Sequence, residues 1–111
     1  MDVETLDGGV TRIRLEGDLD MKGAGEIEPR FTAVASAGDK VVVDLAGVRF
    51  LASIGIRSLL AAAKACARRG GKLALLDPSD AVAKVLTTCG ADAVVPVVHG
   101  WNDALALVSS E

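Results

Sequence analysis

The chain contains no tyrosine, and its only aromatic side chains are Phe31, Phe50 and Trp101. The core must therefore be aliphatic, and the 50% hydrophobic content over 111 residues is enough to build one without staples. Cysteine is scarce too. Cys66 and Cys89 form no CxxC pair, and both fall in helical patterns, which predicts free buried thiols in a reducing compartment. No uninterrupted apolar run approaches the roughly 20 residues needed to span a bilayer. The opening "MDVETLDGG" carries early acids and no apolar stretch of the signal-peptide kind, so the chain reads as cytosolic, without membrane insertion. The net charge of −3 provides no basic field for nucleic acid.

Catalytic signatures are missing as well. The single histidine, His99, lies in "VVHGW" before a glycine and reads as a solvated loop residue. Ser53 sits in "LASIG", which is not the GxSxG elbow of serine hydrolases. Neither GxxxxGK[ST] nor GxGxxG occurs, and no cluster has metal-ligand spacing. Asp18, Asp20, Asp44 and Asp77 fall near strand ends or turns, where aspartate is favoured for capping and turn chemistry alone. The expectation is a single domain over residues 1–111 that is not an enzyme and holds no metal or cofactor.

What is present is a regular alternation. "VETL" and "VTRIRLEG" flank "DGG" and read as a hairpin, with Arg12 and Arg14 on a solvated face. "GDLDMKGAG" is a polar bend. Ile27, Phe31, Val34 and Ala35 follow helical spacing up to Gly38, and Pro29, tolerated only in a first turn, places the helix start near Ile27. "KVVVDL" and "KLALL" are buried strands; "AVVPVV" is a third, at a sheet edge because Pro96 lacks an amide proton. After Ser53, Ile56, Leu59, Leu60, Ala63 and Ala67 recur at helix spacing until Gly70 and Gly71. "DPS" caps a helix with a face of Val82, Val85, Leu86 and Cys89, stopped by Gly90, and "WNDALALV" is a final short helix. Strands alternating with helices from residue 40 onward imply a largely parallel sheet, made mixed by the first hairpin: an α/β fold with helices packed against a mixed sheet.

The segment "FLASIGIRSLLAAAKACARRGG" carries the functional question. On a helical projection Lys64 and Arg68 fall within about 20° of Arg57, and Ser53 about 40° away at the head of this basic stripe. The serine is either an ordinary helix cap on a solvated amphipathic helix or a hydroxyl displayed for modification, with Gly55 leaving the backbone open to a partner. A phosphate at that position would meet the unpaired amides and partial positive charge of a helix start. Periodicity alone leaves both readings standing.

"EGDLD" after an early strand, then "VVVDLAGVRFLASIGIRSLL", then "GGKLALLDPSDAVAKVLTTCGADAVVPV" together resemble the STAS domain family, which includes bacterial anti-sigma factor antagonists. The resemblance runs from about Val10 to Val108. It implies a mixed sheet packed with helices. In phosphorylated members the loop before the second helix reads Asp-Ser-Ser-Gly or Asp-Ser-Xaa-Gly, and alignment on Phe50 and Gly55 places the phosphorylated serine at Ser53. Here Ala52 stands where the aspartate is usual and Ile54 where the second serine is.

The resemblance further implies a phospho-switched binding module. Unphosphorylated, it would engage an ATP-binding anti-sigma factor with serine-kinase activity and so regulate sigma-factor-dependent transcription; a phosphatase would reset it. The partner surface would draw on Gly17, Asp18 and Asp20 of the acidic bend, on Ala52, Ser53, Ile54 and Gly55, and on Arg57 and Lys64. The alternative within the family is an unphosphorylated adaptor subunit of a lipid-transport or sensory complex.

Overall fold

A computed structural model describes residues 1–109. Strand β1 (Asp2–Leu6) turns through Gly8 and Gly9 into β2 (Val10–Leu19), pairing antiparallel from Asp2↔Arg14 to Leu6↔Val10. Both turn glycines have φ near +80°, which residues with a Cβ adopt only under strain. Helix α1 (Met21–Ala37) leads to β3 (Lys40–Leu51), α2 (Ser53–Arg68) to β4 (Lys72–Leu76), and α3 (Asp80–Thr88) with a short 3-10 turn to β5 (Val97–Val98); α4 (Trp101–Ser109) ends the described chain. The sheet order is β1-β2-β3-β4-β5, with every pair after the first parallel. This is the mixed α/β architecture that the alternation predicted.

Two groups of buried residues fill the two faces of the sheet. The larger joins Ile13, Leu15, Val41, Val43, Leu45, Leu73 and Leu75 of the strands with Phe31 and Ala35 of α1, Leu59, Ala62 and Cys66 of α2, and Val82 and Leu86 of α3. The smaller lies on the opposite face, where α4 covers Val10, Val42, Ala74 and Leu76 with Ala104 and Val108. This second layer corrects the expectation of a solvated face in part: the Arg12 side chain is largely covered, while that of Arg14 stays 39% exposed. Arg12 lies 5.0 Å from the centroid of the Trp101 ring, and its Nη2 is 2.9 Å from Oδ2 of Asp44. Arg14 Nε is 3.8 Å from the same oxygen. Asp44 is thus buried and ion-paired, and it also does the local chemistry expected of it: its Oδ1 accepts a hydrogen bond from the Ala46 amide, two residues on, at 3.0 Å.

Several boundaries differ from the sequence reading. Helix α1 starts at Met21, six residues before Ile27, because the Asp20 carboxylate accepts a hydrogen bond from the Gly23 amide at 2.8 Å and caps it. Pro29 then sits inside the helix. It and Gly25, four residues back, are both exposed, so the missing hydrogen bond falls on the outer side of the helix, where water can replace it. Strand β5 is two half-buried residues long rather than a full buried strand, and Val94 is exposed, although the edge position is as Pro96 implied. Cys66 is buried, where desolvation and then the nearby Asp39 raise its thiol pKa, but Cys89 is exposed at the end of α3; both are free.

Candidate functional site

Because β2, β3 and β4 run parallel, the helices that follow them all begin at one edge of the sheet. At that edge β2 and β3 finish side by side, with Asp18 opposite Phe50 and Leu19 opposite Leu51. Register shifts near Glu16 and Gly17, the latter at φ +80°, let the longer β3 keep pace with β2. The pairing is sealed one residue further on, where the Ala52 amide donates to the Leu19 carbonyl at 3.0 Å. The acidic bend and the Ser53 loop are therefore physically joined.

Gly55 explains how closely. A Cβ on this residue would lie 2.9 Å from both Cβ and the carbonyl oxygen of Leu19, and 2.8 Å from Cδ1 of Leu51. The glycine is buried, so it does not expose backbone to a partner as the sequence suggested; it lets the first turn of α2 press against the ends of β2 and β3. The start of α2 is packed directly on the strand ends beneath Ser53.

Ser53 itself is exposed and is the first residue of α2. The N-cap position belongs to Ala52, and no side chain caps the helix. Ser53 is thus not the ordinary helix cap that the bland reading required. The first turn also contains no acidic residue, so the positive end of the helix is not neutralised locally. The aspartate usual in related loops would occupy the cap position here taken by Ala52, which gives that departure a physical meaning. Among the described residues the amides of the exposed Ser53 and the half-buried Ile54 donate no hydrogen bond.

Of the other predicted site residues, Asp18 is exposed, with Oδ1 3.6 Å from Arg49 Nε. Asp20 is engaged in capping α1. Gly17, Ala52 and Ile54 are half-buried, and Arg57 and Lys64 are exposed along α2. The buried face of α2 comprises Gly55, Ser58, Leu59, Ala62 and Cys66, not the row Ile56, Leu60, Ala63 and Ala67. The helix is turned by about 100° from the predicted orientation. Small residues allow this: Ser58 fits against the body of the protein, its hydroxyl donating to the Ile54 carbonyl at 3.1 Å. The displaced apolar row is left as a flank, half-buried at Ile56, Leu60 and Ala63, and exposed at Ala67.

Two grooves meet at Ser53. One, of about 430 Å³, runs along α2 past Ile56, Arg57, Leu60, Ala61, Lys64 and Arg68. The other, of about 660 Å³, lies between α2 and α3 and is lined by Phe50, Ala52, Ile56, Ala81, Lys84, Val85, Thr88 and Cys89, among others. Phe50 is 52% exposed and Met21, beside Asp20, is 77% exposed. Sequence reasoning missed Met21, Phe50 and the α3 wall. Phe50 carried a signal: Leu51 follows it in the strand, and two consecutive apolar side chains cannot both point to the same face, so one of them is left for the outside. Among the described residues no group of His, Cys, Asp or Glu is arranged to hold a metal ion, and no helix is long and apolar enough to cross a membrane.

A family model described as "Mlab, STAS domain" matches residues 3–98. The anti-sigma-F factor antagonist RsfA of Mycobacterium tuberculosis is 31% identical over 81 residues, which is 73% of this chain but only 63% of the relative's own length. Among solved structures, an anti-sigma factor antagonist from Mycobacterium paratuberculosis superposes with a TM-score of 0.87 at 28% identity, covering 97% of this chain and 92% of that one. The Bacillus cell fate determinant SpoIIAA in its phosphorylated form superposes with a TM-score of 0.71 at 21% identity, covering 96% and 97%, and so shares the fold. The extent of the family match, together with the mixed sheet and the paired loops at its edge, shows that this chain belongs to the STAS domain family.

Proposed function

We propose that the protein is an anti-sigma factor antagonist whose binding to an ATP-binding anti-sigma factor is switched by phosphorylation of Ser53. One observation carries this reading: an exposed serine opens an uncapped helix packed closely on the strand ends, at an edge that also exposes Met21 and Phe50. Exposed large apolar side chains grouped at one edge suit a protein-docking surface. The two mycobacterial relatives bear the name of anti-sigma factor antagonists, which supports the choice of partner.

The physics of the switch follows from the helix start. A phosphoserine adds about −1.5 to −2 charges at neutral pH. In the free domain this charge meets the unneutralised end of α2, an interaction of about 0.3–1 kcal/mol in the stabilising direction. In the complex the same phosphate has to be desolvated beside Asp18 and against the partner, and burying a charge without a matched counter-charge outweighs the helix-end gain. The complex dissociates while the fold survives. The partner supplies both nucleotide and kinase activity, a phosphatase resets the serine, and this chain acts as a binding module rather than an enzyme. A serine-reactive phosphonate should accordingly leave Ser53 unlabelled.

The test pairs two variants with the anti-sigma factor. Ser53→Asp should keep the far-UV spectrum and melting temperature of the wild type yet lose binding, and Ser53→Ala should bind constitutively. Mass spectrometry after incubation with the anti-sigma factor and ATP should find one phosphate, on Ser53. A Ser53→Asp protein that binds as tightly as the wild type would end the switch. A second reading, an unphosphorylated STAS adaptor in a lipid-transport or sensory complex, rests on the absent carboxylate at Ala52; unmodified Ser53 after that incubation would favour it.

A further inference from the structure

Helix α2 contains no acidic residue, although acids outnumber bases in the chain. Its cations Arg57, Lys64 and Arg68 are exposed, and none makes an ion pair among the described residues. Arg12, Arg14, Arg49 and Arg69, by contrast, are each already matched to an aspartate. Ala61 lies between Arg57 and Lys64, so the basic row 57, 61, 64, 68 is spaced four, three and four residues apart. The apolar row 56, 60, 63, 67 beside it repeats that spacing. Paired rows with this rhythm are the surface one helix offers to another, with ridges three or four residues apart. The small side chain of Ala61 makes a notch that admits a neighbour's ridge, and the groove of about 430 Å³ runs along it.

We infer that this face of α2 docks an acidic amphipathic helix of the protein's partner, its carboxylates against Arg57, Lys64 and Arg68 and its aliphatic side against Ile56 and Leu60. The inference rests on the reading of α2 as part of the partner surface and adds the chemistry of what lies on it. Charge complementarity selects the occupant. Three unpaired cations on a face of an otherwise acidic protein attract an anionic partner, steer its approach and disfavour a basic one. The half-buried Ile56 and Leu60 beside the ridge favour a helix with an aliphatic stripe over a purely acidic tail. Ser53 heads the same groove, one helical turn before Arg57. A phosphate there, at the head of the groove, repels the first carboxylate of the docked helix.

The experiment uses the isolated chain, isotopically labelled for amide NMR, and two synthetic helical peptides. Both peptides share a leucine stripe; one carries glutamate on its other face and the other lysine. The glutamate peptide should shift amides between residues 56 and 68, bind at least about tenfold more tightly than the lysine peptide, and weaken as salt is raised. Lys64→Gln combined with Arg68→Gln, both on exposed positions, should lower its affinity by about tenfold while the melting temperature falls only slightly, by the loss of the Arg68 charge from the last turn of α2. Equal affinity for both peptides, binding to neither, or indifference to the double substitution would overturn the inference. So would stronger binding, through the same residues, to vesicles of phosphatidylglycerol and phosphatidylcholine, which would make the ridge a membrane contact. Lys64 and Arg68 lie roughly 16 Å or more along the axis from Ser53, so this test is separable from the switch. A Ser53→Asp protein that still binds its anti-sigma factor would refute the switch and leave the ridge result intact.

Discussion

Three helices start along one edge of the sheet, and they start differently. Helix α1 is capped by Asp20, whose carboxylate accepts from the Gly23 amide at 2.8 Å, and α3 by Ser79, whose hydroxyl accepts from the Val82 amide at 3.3 Å. Between them α2 begins behind Ala52, with no capping side chain and no acid in its first turn. Each neighbour satisfies one first-turn amide with its own side chain; α2 leaves the amides of Ser53 and Ile54 without such a partner. It makes up for the missing cap from below, since Gly55 lets it press directly on Leu19 and Leu51. A helix start can thus be anchored by packing instead of by a cap, and an anchor beneath leaves the amide end accessible above.

Substitutions can break this contrast, and their expected effects descend in order. The largest belongs to Gly55→Ala, whose methyl group would enter the space of Leu19 and Leu51; overpacking of this kind costs about 1–3 kcal/mol and should show as a lowered urea midpoint. Removing the caps comes next. Asp20→Ala and Ser79→Ala should each destabilise by about 1 kcal/mol, the first more than the second because its hydrogen bond is shorter, as thermal melts would report. Ala52→Asp should act in the opposite direction, supplying α2 with the cap it lacks and raising stability by about 0.5–1 kcal/mol in the same melts. The smallest effect is expected for Ser53→Ala, which removes neither a cap nor a buried contact and should leave stability within about 0.5 kcal/mol. If Ser53→Ala destabilised as much as Ser79→Ala, the serine would be a structural cap and the contrast would collapse.

Much of the fold was legible because strands and helices announce themselves through local periodicity. The hairpin around Gly8 and Gly9, the buried strands "KVVVDL" and "KLALL", and the helix stops at Gly70 and Gly90 all lie where pattern and turn chemistry put them. The alignment of Ser53 with the head of a cationic stripe was also readable, since it depends only on residue spacing along one helix. The start of α1 was not. Pro29 argued for a late beginning, and the capping bond between Asp20 and Gly23 outweighed it. Cys89 followed the apolar period of α3 yet lies exposed, because the chain turns away through Gly90 before anything covers it.

Other features required the assembled molecule. Arg12 and Arg14 alternate with apolar residues just as solvated side chains do, and only the arrival of Trp101 and Asp44 from distant segments converts their face into a second interior layer. The roll of α2 about its axis was likewise undetermined, since both the row through Leu59 and Cys66 and the row through Leu60 and Ala67 are apolar. The close approach permitted at Gly55 buried one and left the other beside the cations. From the sequence alone came the order of elements, the aliphatic core and the serine that opens a basic helix, all properties of neighbours in the chain. The tertiary structure alone decided which face of each element is covered, because burial depends on which remote surface comes to lie against it.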